Sequence, residues 1–198
     1  MSTVALYACD TMVEVAFGHL VGALTLFPDA HLVVVAETSA EVSTCGGLHL
    51  RPTHTLDQLN HANIDMLVLP GGSTWDSGHE AVLDLAAERL AAERPVAAIG
   101  GATRGLARRR LLDARIHTSN SPEFLAAGGY GGARHYEAAR VVVDGALITA
   151  PDSSPLEFTR EILLVADLLS PSAAEAWYQG YVTGQPEWFA RLEVLLEG

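Results

Sequence analysis

The stretch with the clearest chemical pattern is Arg94-Pro-Val-Ala-Ala-Ile-Gly-Gly-Ala-Thr-Arg-Gly-Leu-Ala107. Pro95 to Ile99 is a short apolar run that suits a buried parallel strand. Behind Gly100 and Gly101, the residues Ala102, Leu106, Leu111 and Leu112 recur at helical spacing. Strand, tight turn and helix in that order form a nucleophile elbow, in which one residue stands at the top of a sheet with a helix N-terminus aimed at it. With Ser or Cys at that point the chemistry would be covalent attack on a carbonyl. The residue is Gly100, which has no side chain to attack with. Three other segments carry groups suited to the same place. Cys9, Asp10 and Glu14 follow the first apolar run. Pro70-Gly71-Gly72 offers side-chain-free backbone whose N–H groups can form an oxyanion hole. His117-Thr118-Ser119-Asn120 adds an imidazole that can act as acid or base and an amide that can bind a ligand.

The elements that must hold these groups alternate between strand and helix. Strands are predicted at Val4–Ala8, His31–Ala36, Asp65–Leu69, Pro95–Ile99 and Arg115–Ser119. Val141 to Thr149 is predicted as two strands joined at Asp144-Gly145, a hairpin-turn dipeptide. Cys45 to Leu50 reads as a turn into a short edge strand. A helix capped at Asp10-Thr11-Met12 is predicted to reach about Leu26, with a weak helix at Leu56–Ala62 and an amphipathic one at Glu80–Glu93. Ser154-Pro155-Leu156-Glu157 reads as a capping box with Pro at the first helical position, opening a helix to about Leu169. Ser170-Pro171 opens another through Tyr178, and Pro186 to Leu196 is a last amphipathic helix. The pattern predicts an α/β fold: a mostly parallel sheet with helices on both faces, its chemistry beyond the carboxyl ends of the strands.

The chain has 198 residues, 49% hydrophobic and 18% charged, which predicts one domain with a proper core. A formal net charge of −12 argues against nucleic acid or an anionic membrane as partner. Arg104, Arg108, Arg109 and Arg110 are a local exception and read as the solvated face and C-terminal end of one helix. Two cysteines, Cys9 and Cys45, make no disulfide framework. With no signal-like segment after Met1 and no apolar run of spanning length, the expectation is a cytoplasmic protein. His49, His54 and His61 lack tight metal-ligand spacing, so no metal is expected. Gly100 to Gly105 lacks the Lys-Ser/Thr of a phosphate loop and comes too late for a dinucleotide fingerprint.

Val68–Gly72, Pro95–Thr103, Leu111–Asn120, Leu147–Ala150, Pro155–Phe158 and Glu175–Tyr178 together resemble the ThiJ/PfpI family of the class I glutamine amidotransferase-like superfamily. The resemblance runs nearly end to end. It implies a flavodoxin-like three-layer sandwich, a homodimer and no dissociable cofactor. Two departures stand out. The family's cysteine falls on Gly100. Aligned without gaps from Asp10 to Gly18, its helix-one glutamate falls on Ala16, the acid before it on Glu14 and the aromatic on Val15. A shift by two would restore Glu14 at the cost of the Asp10-Thr11-Met12 match. Loss of thiol and carboxylate together points to abandoned thiol chemistry, with an engineered Cys-to-Gly change as the alternative.

Candidate residues are therefore Glu14, His117 and Asp10 for catalysis, and Gly71, Gly72, Gly100, Gly101 and Asn120 for substrate binding. Each has a plainer reading: Glu14 as a surface acid, Asp10 as a helix cap, His117 as a hydrogen-bonded strand histidine, Asn120 as a turn residue. Cys9 either replaces the lost thiol or is an inert core residue. Three functions fit. One is an enzyme using acid–base chemistry without a thiol, for hydration, dehydration, isomerisation or cyclisation of a small carbonyl compound. A second is a catalytically dead relative that binds a metabolite or protein partner. A third is an inactivated form of a cysteine-dependent hydrolase or hydratase.

Overall fold

Seven strands form one sheet in the order β5-β2-β1-β6-β7-β9-β8. In the computed structural model, which describes residues 2–126 and 129–197, these are β1 (Ser2–Tyr7), β2 (Ala30–Ala36), β5 (His54–Thr55), β6 (Met66–Leu69), β7 (Val96–Ile99), β8 (Val142–Asp144) and β9 (Leu147–Ala150). All neighbours are parallel except β8 and β9. Every residue of β6, β7 and β9 is buried, which is why these segments read as unbroken apolar runs rather than alternating ones. The β8–β9 hairpin turns at Gly145, whose φ of 58° is the left-handed value an Asp-Gly turn needs.

Among the described residues, seven α-helices follow in order: α1 (Val15–Leu24), α2 (Glu80–Ala91), α3 (Gly101–Arg108), α4 (Pro122–Leu125), α5 (Pro155–Val165), α6 (Pro171–Thr183) and α7 (Pro186–Glu197). The connections β1-α1-β2 and β6-α2-β7 run in opposite directions across the sheet. Right-handed crossovers therefore place α1 and α2 on opposite faces. Helix α1 packs with α5, α5 with α6 and α6 with α7, while α3 packs on β7 and α4. This is the flavodoxin-like α/β arrangement. Strand order reverses between β1 and β6, so the loops after these strands flank the crevice where such sheets bind ligands.

Several boundaries differ from the sequence expectations. Arg115–Ser119 is not a strand. Both sides of β9 are taken, by β7 and β8, so this segment makes one bridge, His117 to Tyr136, and the Thr118 N–H donates to Thr149 Oγ1 at 2.9 Å. The predicted edge strand at Cys45–Leu50 pairs instead with residues 42–43 in a separate antiparallel hairpin, β3 (Val42–Ser43) with β4 (His49–Leu50). Residues 56–58 and 61–63 form two 3₁₀ turns, not one helix. Asp10 does not cap α1, which starts after Glu14; its Oδ1 accepts from the Ser43 N–H at 2.9 Å. The expected capping box at Ser154 is also absent. Pro155 does open α5, but the Ser154 hydroxyl is buried without a partner, and Glu157 turns to Arg140 and to the Tyr178 hydroxyl at 2.9 Å.

Candidate functional site

Gly100 sits between β7 and α3 with φ 54° and ψ −119°, the strained turn of an elbow. Its N–H is used by the sheet edge, donating to Ala150 O at 2.9 Å. Its carbonyl accepts from the Thr103 N–H at 3.0 Å and from Thr103 Oγ1 at 2.6 Å. Thr103 Oγ1 also lies 2.6 Å from Ser119 Oγ. The space where a side chain would stand is occupied. A Cβ on Gly100 would fall inside the carboxylate of Asp152, and one on Gly71 would lie 2.5 Å from Asp152 Oδ1.

Asp152 is the second residue after β9, which sets it beyond the carboxyl end of the strand next to β7. Asn120 holds it on two sides. The Asp152 N–H donates to Asn120 Oδ1 at 2.8 Å, and Asn120 Nδ2 donates to Asp152 Oδ2 at 2.7 Å. Both residues are exposed, so the carboxylate faces solvent. Sequence reading missed Asp152. The available signal was its position one residue past Pro151 at the end of a strand bordering the elbow, since loops at neighbouring strand ends share one crevice.

The glycines explain how closely the loops meet. A Cβ on Gly101 would clash with the Gly72 carbonyl, and one on Gly72 would lie 3.1 Å from Thr11 O. Val13 N donates to Gly71 O at 2.9 Å and Ser73 N to Thr11 Oγ1 at 2.9 Å, which ties the β1 loop to the β6 loop. The N–H groups of Gly72 and Gly101 find no backbone acceptor among the described residues. Gly101 and Gly105, one turn apart on α3, seat over the indole of Trp75, which donates from Nε1 to Pro70 O at 3.0 Å. Gly72, Ser73, Trp75, Asp76, Gly101, Arg104 and Phe124 line an open cleft of about 230 Å³ beside the elbow.

The structure brings Gly71, Gly72, Gly100, Gly101 and Asn120 together around Asp152. Glu14, Asp10 and His117 are committed elsewhere. The Glu14 carboxylate accepts from the Thr44 hydroxyl and, at 2.8 Å, from the Gly46 N–H. These bonds, the Thr44 one foremost, hold its carboxyl below the usual range. Ala16, where the family glutamate would fall, is buried. His117 is fully buried, with Nδ1 2.7 Å from Arg115 O and Nε2 2.5 Å from the Tyr130 hydroxyl. A carbonyl only accepts, so Nδ1 carries the proton and Nε2 accepts from Tyr130. Burial lowers its pKa, so at neutral pH it is an uncharged ring with both nitrogens engaged. Cys9 is buried and its thiol is pushed up to about 12, burial being the main cause; Cys45 is exposed.

Among the described residues no group of three His, Cys, Asp or Glu side chains is placed to hold a metal ion, and no helix is long and apolar enough to cross a membrane. Residues 2–164 match the DJ-1/PfpI family model. The chain is 34% identical over 199 residues to "Uncharacterized protease YoaZ" of Bacillus subtilis (strain 168), covering 96% of this chain and 95% of that one. Among solved structures it is similar to a thiJ/pfpI family protein from Bacillus anthracis, with a TM-score of 0.92, 34% identity and 98% of each chain covered. It is also similar to the DJ-1 superfamily protein Atu0886 from Agrobacterium tumefaciens, with a TM-score of 0.85, 29% identity, and 93% of this chain and 99% of the other covered. With the elbow, the sheet order and these likenesses in agreement, the chain belongs to the DJ-1/PfpI family.

Proposed function

We propose that the elbow of this protein performs acid–base chemistry without a thiol on a small carbonyl compound. Asp152 is the group that takes and returns the proton, in hydration, dehydration, isomerisation or cyclisation. The observation that carries this reading is the carboxylate of Asp152 lying where a side chain on Gly100 would stand. It has the elbow's access to a bound carbonyl, and the Gly72 and Gly101 N–H groups can stabilise the developing oxyanion or enolate. Asn120 fixes the carboxylate's direction, which a catalytic base needs before its pKa matters.

The Bacillus subtilis relative is named a protease. Peptide hydrolysis through an elbow thiol does not suit this chain, since Gly100 supplies no nucleophile and the Cys9 thiol is un-ionised at neutral pH. The Asp152 carboxylate, held by Asn120 in the volume a cysteine at Gly100 would need, speaks against an inactivated cysteine enzyme as well. The engaged atoms of Glu14 and His117 favour a second reading, a relative that binds a metabolite without turning it over.

The two readings separate in one measurement. Exchange of solvent deuterium into the carbon next to the carbonyl, followed by proton NMR on a panel of small aldehydes and ketones, should show catalysis by the native protein. Asp152→Asn should lower it by about 10²- to 10⁴-fold, the usual worth of a positioned acid–base group. Native protein with no exchange on any compound it binds would leave the binding reading. We also propose a homodimer in a cytoplasmic setting, which light scattering at micromolar concentration tests; a monomeric mass removes the dimer.

A further inference from the structure

The cleft beside the elbow ends on a cation. Arg104 lies in the first turn of α3, and its Nε is 2.8 Å from Asp76 Oδ1. Its guanidinium stands 5.3 Å above the Phe124 ring centroid. Asp76 thus takes the inner edge of the guanidinium and Phe124 covers one face. The two terminal nitrogens, on the outer edge, make no hydrogen bond to protein among the described residues. Arg108, in the last turn of the same helix, and Arg109, its C-cap, differ. Arg108 bonds Glu80 Oε1 at 3.0 Å and the Gly78 carbonyl, and Arg109 pairs with Asp84, so both are spent on fixing α3 to α2. Arg108 in the last turn and the exposed Arg109 at the C-cap do mark the helix end, as expected, whereas Arg104 lines the cleft with Gly72 and Gly101.

We infer that Arg104 is the anion-recognition end of the elbow cleft and that the carbonyl compound handled there is a short oxo acid, bound through its carboxylate. The inference rests on the acid–base reading for its carbonyl end, and adds the charge and size of the molecule. A planar guanidinium with one edge free matches a carboxylate through two parallel N–H bonds. Stacking on Phe124 and the Asp76 contact fix the plane in advance, so less side-chain freedom is lost on binding. A cleft of about 230 Å³ holds roughly seven or eight waters at about 30 Å³ each, which suits a molecule of a few carbons. Asp152 lies over Gly71 and Gly100, and the next residue of each loop, Gly72 and Gly101, lines the cleft together with Arg104.

The test measures binding rather than turnover, so that it stands or falls apart from the acid–base reading. Isotope-labelled protein is titrated by NMR with pyruvate and with 2,3-butanedione, a neutral dicarbonyl of similar size. Pyruvate should shift the Gly72 and Gly101 amides saturably, with Kd at least about tenfold lower than butanedione, as expected for a charge-assisted bidentate contact. Arg104→Gln should erase that preference, and Arg104→Lys, with charge but no fork, should restore part of it. Asp152→Asn should bind pyruvate at least as well as the native protein while losing exchange activity. The Arg104 Nε resonance of the native protein should move with pyruvate, a readout that needs no variant to fold. Equal affinity for the two compounds, or unchanged pyruvate affinity in Arg104→Gln, overturns the inference. Displacement of pyruvate by inorganic phosphate more readily than by acetate overturns the carboxylate assignment.

Discussion

At the end of β1, Tyr7 meets His79 and Thr74 in a chain of hydrogen bonds, with Cys9 alongside; at the ends of β7 and β9, Asp152 and Arg104 stand beside bare glycine backbone. In the first region the bonds set one another's direction. Thr74 Oγ1 donates to Asp10 O at 3.3 Å, so it accepts from His79 Nε2 at 3.0 Å, and His79 Nδ1 accepts from the Tyr7 hydroxyl at 2.9 Å. Burial raises the Tyr7 and Cys9 pKa values and lowers that of His79, so all three stay uncharged at neutral pH. His79 stacks on Trp75 with ring centroids 4.4 Å apart, and Trp75 in turn underlies Gly101 and Gly105. The residue types most often used in catalysis thus serve here as the floor of the elbow. Carboxylates stand at both places, Asp10 and Glu37 at the ends of β1 and β2 and Asp152 past β9, but only Asp152 lies against the elbow glycine.

The largest effect that bears on this contrast comes from putting a side chain back on the bare elbow. Gly100→Cys places a Cβ inside the Asp152 carboxylate and at a φ of 54°. Backbone strain there costs about 1–3 kcal/mol, and overpacking adds a similar amount until Asp152 swings away. In a chain of this size each kcal/mol moves Tm by about 2–4 °C, so calorimetry should show a fall of roughly 5–20 °C. Gly100→Cys combined with Asp152→Gly should recover about half of it. Unchanged Tm in Gly100→Cys would show that Asp152 leaves the elbow freely, and the carboxylate would lose its claim to that place.

How much of this was legible in the sequence follows from how local each signal is. The apolar runs of β6, β7 and β9 and the Asp144-Gly145 turn are local, and they folded as read. The elbow was legible for the same reason, including its empty position at Gly100. Asp10 and Ser154 looked like caps because capping residues are also good partners for loops, and here tertiary partners or burial took precedence. Arg115–Ser119 has a strand's composition, but β8 already holds the place beside β9. Asp152 was missed because its one cue, a place just past a strand end, gains meaning only once the parallel pairing of Ile99 with Ala150 sets that strand beside the elbow.

A smaller effect should come from acid. Burial holds His79 and His117 below the ordinary histidine value in the folded protein. Between that lowered value and about 6.5, the unfolded chain binds protons that the folded chain refuses. Their contribution is therefore complete above about pH 6.5 and is lost as pH falls through the folded values. Urea midpoints should decline from pH 7 to pH 5, before most carboxylates titrate. His117→Gln should be less stable at pH 7 but show a flatter decline. An equally steep decline in that variant would mean that His117 is not one of the groups refusing protons.

The smallest expected effect is that of thiol modification on activity, and it bears on whether Cys9 has taken over from the missing elbow thiol. Attack by cysteine requires the thiolate. With its pKa pushed up to about 12, mainly by burial, Cys9 is ionised at neutral pH in only about one molecule in 10⁵. It is also buried, whereas Cys45 is exposed in the 44–47 turn, where its N–H donates to Met12 O at 3.0 Å. Iodoacetamide at pH 7.5 should therefore label Cys45 and leave Cys9 intact in the native protein, as read by mass spectrometry of peptides. Exchange activity should be unchanged within error, because neither sulfur lines the cleft of Gly72, Gly101 and Arg104. Loss of activity in step with labelling of Cys9 would place a working thiol in the β1 region, and the contrast between the two strand ends would be reversed.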